Sequence, residues 1–144
     1  MINLDQERSV HARKQVKKWT EFLPPDRKQI LSECHRLPVW LRVNGLIAFL
    51  LFADVENERR SAETGEVTKR GVADLRAALA DWLTRPGSPV RVSKNRSLAD
   101  VLSEDRTAYR RAFAEAAAYS NWLKRWADAT LTTVVDEPKP AEAK

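Results

Sequence analysis

The chain has 144 residues, of which 43% are hydrophobic and 31% are charged. That length suits one domain with one core, and the composition excludes both a disordered chain and one embedded in a membrane. The four glycines are too few for a turn-rich all-β fold. A single cysteine, Cys34, excludes a disulfide framework within the chain and a cysteine-based zinc site. We expect one helical domain over residues 1–133, in the reduced environment of the cytoplasm.

Positive charge is concentrated in two segments. The net charge is +5 and the isoelectric point is about 9.6, a moderate lean towards polyanionic partners. Residues 1–36 hold eight Lys and Arg against five Asp and Glu, and residues 67–96 hold seven against two. Residues 97–133 balance at zero. Two basic segments predict a basic stripe on the folded surface.

The N-terminal third predicts two helices. Leu4 to Leu23 carries apolar residues at steps of three and four, the spacing of one helical face. Asn3 is the expected N-cap, and Gln6 stands where a capping box needs it. Pro24-Pro25 ends this helix. A short second helix is then predicted from Asp26 to His35.

A third helix is predicted from Val39 to Glu56, opened by Pro38. It is apolar around nearly its whole circumference, which is typical of a buried, central helix. Gly45 interrupts it at a cost of about 1 kcal/mol relative to alanine, so we expect a neighbour packed close against that position. Residues 57–66 are polar and predict a loop.

The C-terminal half predicts three more helices. The fourth spans Thr68 to Thr84 and is followed by an exposed basic loop at 85–96. Ser97 caps a short fifth helix that ends near Leu102, and the last helix runs from about Glu104 to Leu131. Residues 134–144 predict a disordered tail. The fold class is therefore all-α, a single bundle of about five to six helices with a long C-terminal helix.

No residues are spaced as a reactive centre. Neither His11 nor His35 is placed in the sequence beside the carboxylate or second histidine that a metal site or a general base needs. Cys34 adjoins His35, but consecutive helical residues do not face each other. The longest apolar stretch, Leu46 to Ala53, is too short to cross a membrane. We expect no catalytic residue, metal, cofactor, small-molecule substrate or membrane contact.

A row of cations lies on the outer side of the first predicted helix. Its members are Arg13, Lys14, Lys17 and Lys18. Such a row is either an ordinary solvated face or a set of phosphate contacts, which need only point charges and carry no sequence preference.

The last helix has two outer rows beside its inward face. One contains Trp122 between Arg111 and Arg125, and an exposed Trp flanked by Arg is a common interface anchor. Alternatively, Trp122 fills a second groove of the same bundle. The other row runs from Arg110 through the small residue Ala117, which would let a partner approach closely.

Two segments resemble the small subunit of the type III-B CRISPR-associated Cmr (RAMP module) effector complex. The first is Leu37-Pro38-Val39-Trp40-Leu41-Arg42-Val43-Asn44-Gly45-Leu46 with Phe49-Leu50, similar to the family's Leu-Pro, Asn-Gly-Leu and Phe-Leu pattern. The second, similar to its C-terminal helix, is Tyr109-Arg110, Glu115-Ala116 and Trp122-Leu123-Lys124-Arg125. The resemblance covers residues 1 to about 131.

The resemblance implies an antiviral role without nuclease activity. Several copies are expected to stack beside the backbone subunits that hold the crRNA, shaping a basic channel where crRNA and target RNA pair. Candidate RNA contacts are Arg13, Lys14, Lys17, Lys18, Arg42, Lys69 and Arg70. Candidate subunit contacts are Arg110, Arg111, Ala117, Trp122 and Arg125. Two alternatives stay open: the small subunit of a type III-A (Csm) complex, and a small helical hydrolase or nuclease that uses His11 or His35.

Overall fold

The computed structural model describes residues 3–64, 70–88, 90 and 97–135, with side chains described over 3–55, 71–88, 90 and 97–132. These residues form six α-helices and no strand. The helices are α1 (Leu4–Trp19), α2 (Pro24–Asn44), α3 (Leu46–Thr64), α4 (Arg70–Leu83), α5 (Leu98–Glu104) and α6 (Arg106–Val135). The predicted all-α bundle with a long C-terminal helix is confirmed.

The long helix α6 is the centre of the bundle. It contacts each of the other five helices. Its inward row is fully buried and alternates alanines with larger side chains, and consists of Ala112, Ala116, Tyr119, Leu123 and Ala127. The alanines let neighbouring helices approach closely, while the larger residues fill the space between them. Helices α1 and α2 pack along α6, and α4 packs mainly on α2.

The first helix begins as predicted and ends earlier than predicted. The Asn3 side chain accepts from the Gln6 backbone N–H at 2.8 Å, and the Gln6 side chain accepts from the Asn3 N–H at 2.9 Å, which completes the capping box. The helix stops at Trp19 and not at Leu23. The Arg27 guanidinium donates to the carbonyls of Thr20 and Phe22, so this side chain satisfies the backbone of the turn.

The predicted break between His35 and Pro38 is wrong. Helix α2 continues through Pro38 to Asn44. A proline inside a helix removes one backbone hydrogen bond, but Cys34, Leu37 and Leu41 form one buried row across it. Burial of that row against α4 and α6 outweighs the lost bond.

The chain breaks instead at Gly45. Its φ of +92° and ψ of +162° lie in a region that is essentially restricted to glycine. A Cβ at this position would lie 3.1 Å from the Tyr109 hydroxyl, which confirms the expected close neighbour. Gly45 therefore forms the elbow that joins α2 to α3.

Helix α3 is neither fully buried nor central, contrary to the prediction. Its inner side is buried through Leu46, Phe49, Leu50 and Ala53. Its outer side is apolar as well, and stays exposed. The helix also continues to Thr64, so residues 57–64 are helical rather than the predicted loop. An apolar circumference indicated burial, but no second layer of helices covers this side in the described part of the chain.

The segment between α4 and α5 is anchored at its start. Ser88 is buried and donates its hydroxyl to the Leu83 carbonyl at 2.5 Å, and Val90 is also buried. The predicted exposed loop at 85–96 is thus exposed at Pro86 and Gly87 but buried at Ser88 and Val90. Residues 89 and 91–96, which include its predicted basic side chains, lie outside the described residues. The predicted Ser97 cap of α5 is confirmed, since its hydroxyl accepts from the Asp100 N–H at 3.1 Å.

Candidate nucleic-acid and subunit interfaces

Four cations on α1 form an exposed row, named here the α1 cationic row: Arg13, Lys14, Lys17 and Lys18. They are exposed because Ala12, Val16 and Trp19, on the opposite side of the helix, are buried in the core. The Arg13 guanidinium lies 5.8 Å from the centre of the Trp126 ring on α6. This row presents positive charge to solvent over the last two turns of α1.

Polar contacts between α1 and α6 fix the position of this row. Arg8 forms a two-bond ion pair with Glu115, at 2.9 and 3.1 Å. The Trp126 indole N–H donates to the Ser9 hydroxyl at 3.0 Å. Burial alone would raise the pKa of Glu115, but the hydrogen bonds and charge of Arg8 outweigh it and hold that pKa below its ordinary value. The carboxylate therefore stays ionised and keeps α1 attached to α6.

His11 joins three helices and has no free ring nitrogen. Its Nδ1 lies 2.5 Å from the Tyr119 hydroxyl on α6, and its Nε2 lies 2.7 Å from Asp81 on α4. The Trp82 ring stacks on Tyr119 with centroids 5.3 Å apart. The sequence does not reveal the Asp81 partner, because the two residues lie 70 positions apart. Both ring nitrogens of His11 therefore have partners within the chain, one of them the exposed carboxylate of Asp81.

His35 also has a carboxylate partner that the sequence does not reveal, Asp128 on α6. Its neighbour Cys34 is fully buried, and burial raises the pKa of the Cys34 thiol. A buried thiol with a raised pKa is a poor nucleophile, and His35 is exposed while Cys34 is not. Among the described side chains, no three His, Cys, Asp or Glu residues are grouped so that they could hold a metal ion.

Arg42, another predicted RNA contact, does not join the α1 cationic row. Arg42 is exposed near the Gly45 elbow, where Tyr109 of α6 lies. Arg13 of the α1 cationic row lies over Trp126 of α6. The α6 segment from Tyr109 to Trp126, which separates the two positions, is about 25 Å long at the rise of an α-helix. Lys69 lies outside the described residues. Arg70 is the first residue of α4, and the next residue, Gly71, packs on Gln29 and Glu33 of α2. The side chain of Arg70 is not among those described.

The two outer rows of α6 differ in exposure. Trp122 is half-buried, its indole N–H donates to Asp5 at 2.8 Å, and the Arg125 guanidinium lies 5.0 Å from its ring centre. Trp122 thus lies against α1 of the same chain, and its role as an interface anchor stays a prediction. The row through Ala117 faces outward, and Arg110, Arg111 and Arg125 are exposed.

Most of the exposed large hydrophobic side chains in the described part of the chain lie on α2 and α3, and none of them was predicted as a site residue. These five side chains, on the two arms of the elbow, are named here the α2–α3 apolar surface: Val39, Val43, Leu51, Phe52 and Val55. Their exposed fractions range from 39% for Phe52 to 71% for Val43. The Trp40 ring bridges the two arms, with its centroid 5.8 Å from that of Phe52. The all-round apolar pattern of α3 is the sequence signal for its part of this surface, but that pattern predicts burial.

Comparison with known families decides the identity of the chain. The family described as CRISPR-associated protein (Cas_Cmr5) matches residues 4–130, which is most of the chain and all six helices except the end of α6. The chain belongs to this family. It is a small subunit of the Cmr type, from a type III-B CRISPR complex, and the resemblance noted in the sequence is confirmed. No curated protein matches the chain.

The match to the Cmr small-subunit family covers the elements that carry the candidate interfaces. The matched range includes the α1 cationic row, the Gly45 elbow and both outer rows of α6. No described helix is long and apolar enough to cross a membrane. Membership in the family implies a place in a Cmr effector complex with other subunits.

Proposed function

We propose that this small subunit is non-catalytic and places the α1 cationic row near the duplex of crRNA and target RNA. The observation that carries the proposal is the row itself: four exposed cations on a helix fixed to α6, in a chain that belongs to the Cmr small-subunit family. The described residues give Lys14, Lys17 and Lys18 no carboxylate partner, so their charges are available to phosphates.

The charges of this row suit a duplex backbone better than a base. Lysine side chains are flexible point charges, which bind phosphate oxygens without reading base edges. Sequence is recognised in such a complex by pairing between guide and target, so a subunit beside the duplex needs only shape and charge. Several copies stacked beside the backbone subunits would repeat the row along the duplex.

The histidines support a structural rather than a chemical role. His11 uses both nitrogens to join α1, α4 and α6, and His35 joins α2 to α6 through Asp128. A general base needs a nitrogen within hydrogen-bond reach of a substrate proton. We assign both residues to helix packing, and target cleavage to other subunits of the complex.

Co-expression tests the proposal directly. The tagged chain is produced with its operon neighbours, and the proteins and RNA that copurify are identified. We expect backbone subunits of the Cmr type and a guide RNA that carries repeat sequence. Backbone subunits of the type III-A kind would instead support the Csm alternative, and recovery of neither protein nor guide RNA would refute the assignment.

Crosslinking tests the position of the row within that complex. A photoreactive amino acid at Lys17 should crosslink to crRNA or target RNA. The matched control is the same amino acid at Lys28, an exposed lysine of α2 outside the row. Crosslinks from Lys17 to protein alone would contradict an RNA-facing α1.

A further inference from the structure

A groove, named here the α1–α4 groove, runs between α1 and the end of α4. Its volume is about 480 Å³, within the range of ligand pockets, roughly 300–1,000 Å³. One wall is a single stripe of α1, with residues at steps of three and four, and the other is the end of α4 and the turn after it. The lining residues are Glu7, Val10, His11, Lys14, Trp82, Arg85, Pro86 and Gly87. The groove thus shares Lys14 with the α1 cationic row.

A guanidinium is held in place on one wall of this groove. The central carbon of the Arg85 guanidinium lies 3.5 Å from the centre of the Trp82 ring. Its Nη1 donates to the Trp82 carbonyl at 2.7 Å. Trp82 itself is buried and stacks on Tyr119 of α6. Because the core fixes Trp82, the half-buried Arg85 presents a positioned, positively charged plane to the groove.

A positioned guanidinium plane suits a flat, electron-rich ligand. Unpaired RNA bases stack on aromatic side chains and on arginine planes. Val10 and Pro86 add exposed apolar walls, which can contact a base without competing for its hydrogen bonds. Lys14 is exposed on the same groove and supplies the point charge that a phosphate needs.

The charges that line the groove are mixed, and this decides between classes of ligand. Glu7 and Lys14 are both exposed on α1, about 10 Å apart along the helix axis. Asp81, the partner of His11, is exposed as well. A run of phosphates or an acidic peptide would meet these carboxylates. A single nucleotide needs only one cation for its phosphate, and a carboxylate can accept from an amino group of its base.

We propose that the α1–α4 groove binds one unpaired nucleotide of an RNA strand, with its base stacked on Arg85 and its phosphate at Lys14. The inference rests on the proposed RNA role of the α1 cationic row and adds a site for a base beside it. Stacking tolerates any sequence, because every base has a π-face. Strand ends and interruptions of a duplex supply bases that are free to stack in this way.

Titration of the full chain with a six-nucleotide single-stranded RNA tests the site. The indole N–H groups of the tryptophans are followed by NMR, and Trp82→Phe identifies the signal of Trp82. We expect this signal to shift as RNA is added, and the signal of Trp40, on α2, to stay in place. Absence of any shift of the Trp82 signal at millimolar RNA would overturn the proposal.

Two competitors identify the source of the nucleotide. A fully paired duplex of the same sequence should bind the groove more weakly, because its bases already stack on each other. Adenosine monophosphate should also bind more weakly than the six-nucleotide RNA, since a strand has further phosphates that reach the rest of the α1 cationic row. Equal binding of the duplex would contradict a base in the groove, and tighter binding of the free nucleotide would overturn its assignment to RNA.

Arg85→Lys separates the plane of the guanidinium from its charge. It should raise the dissociation constant of the single-stranded RNA about fivefold or more, because stacking on the base is lost. Arg106→Lys is the matched control, an exposed arginine at the start of α6 outside the groove, and should leave the dissociation constant unchanged. Lys14→Ala should lower the slope of log affinity against log salt by about 0.7, the value for one phosphate of a single strand. Wild-type affinity in Arg85→Lys would contradict stacking on Arg85.

A blocking variant keeps the test decisive if Arg85→Lys disturbs the turn after α4. Val10→Trp places a large ring in the groove from the exposed side of α1 and should abolish the shift of the Trp82 signal. Val39→Trp is the matched control, an exposed valine on α2, and should preserve it. RNA binding that survives Val10→Trp but is lost when Lys17 and Lys18 are both changed to Glu would overturn the groove and leave the proposed function standing.

Discussion

Arg8 of α1 and Glu115 of α6 form the contact that ties the first helix of this small subunit to the last. The guanidinium donates from Nη2 and Nε to the two carboxylate oxygens at 2.9 and 3.1 Å, with both side chains 17% exposed. The Trp82 indole of α4 donates to the same carboxylate at 3.2 Å. One carboxylate therefore holds three helices, and the proposed RNA-facing row depends on it.

Replacing Arg8 by alanine should lower the free energy of unfolding by about 1–3 kcal/mol, since it leaves a partly buried carboxylate without its charged partner. The effect should depend on pH. The pKa of Glu115 is lowered in the folded state. The stability that ionised Glu115 contributes is therefore complete above the pKa of an unfolded glutamate, about 4.3, and is lost as the pH falls through the lower pKa of the folded state. Urea unfolding from pH 7 to pH 3 should show the two proteins converging in acid; a constant difference would argue against this ion pair.

Gly45→Ala should destabilise the bundle by about 1–3 kcal/mol, because alanine cannot adopt the backbone of the elbow without strain. The added Cβ would also press on the Tyr109 hydroxyl at 3.1 Å. Gly87→Ala is the matched control, since Gly87 has a similar φ of +87° but nothing within 4 Å of the added atom. Thermal unfolding should show the larger loss for Gly45, and equal losses would mean that contact with Tyr109 has no effect.

Two tryptophan truncations should differ in cost. Trp82 is 2% exposed, stacks on Tyr119 and donates to Glu115, so Trp82→Ala should cost about 3–5 kcal/mol. Trp40 is only half-buried beside Phe49 and Phe52, so Trp40→Ala should cost less than that range. Chemical denaturation of both variants measures the order, and the reverse order would contradict the burial described here.

Charge reversal on the α1 cationic row should weaken RNA binding and reduce its dependence on salt. Each phosphate contact contributes about 0.7–0.9 to the slope of log affinity against log salt, so the triple variant should lose a slope of about 2–3 for each copy that contacts the RNA. The changes are Lys14→Glu, Lys17→Glu and Lys18→Glu, and the assembled complex is titrated with target RNA at several salt concentrations.

The matched control for that triple variant reverses three exposed cations elsewhere: Lys28, Arg106 and Lys124. It has the same net charge but keeps the α1 cationic row. An equal change of slope in both triples would show that only overall charge matters, and an unchanged slope in the first would return the row to an ordinary solvated face.

Histidine replacement separates a structural from a chemical role. His11→Ala should lower the midpoint of thermal unfolding, because it removes contacts among α1, α4 and α6. His35→Ala removes only the contact with Asp128, which is half-exposed, and should have a smaller effect. Target RNA cleavage by complexes assembled with either variant should stay at the wild-type rate, and a large loss of rate without loss of assembly would revive the hydrolase alternative.

Local signals in the sequence determined much of this protein. The all-α class, the Asn3 capping box, the Ser97 cap and the close neighbour of Gly45 follow from spacing and from the chemistry of single residues, which act within a few positions of themselves. The two motifs around Asn44-Gly45 and Trp122 determined the family. The exposed cations on α1 were also predictable, because the apolar residues of that helix define its inner side.

Tertiary structure alone decided the rest. Pro38 lies inside a helix because burial of the row of Cys34, Leu37 and Leu41 compensates for the backbone hydrogen bond that a proline lacks. The sequence near Pro38 does not show that this row packs against other helices. The carboxylate partners of His11 and His35 are 70 and 93 positions away. Periodicity shows that both sides of α3 are apolar, but it cannot show which side another helix covers. That choice depends on how α2, α4 and α6 fill the core, and it leaves Leu51, Phe52 and Val55 on the outer side of α3 exposed.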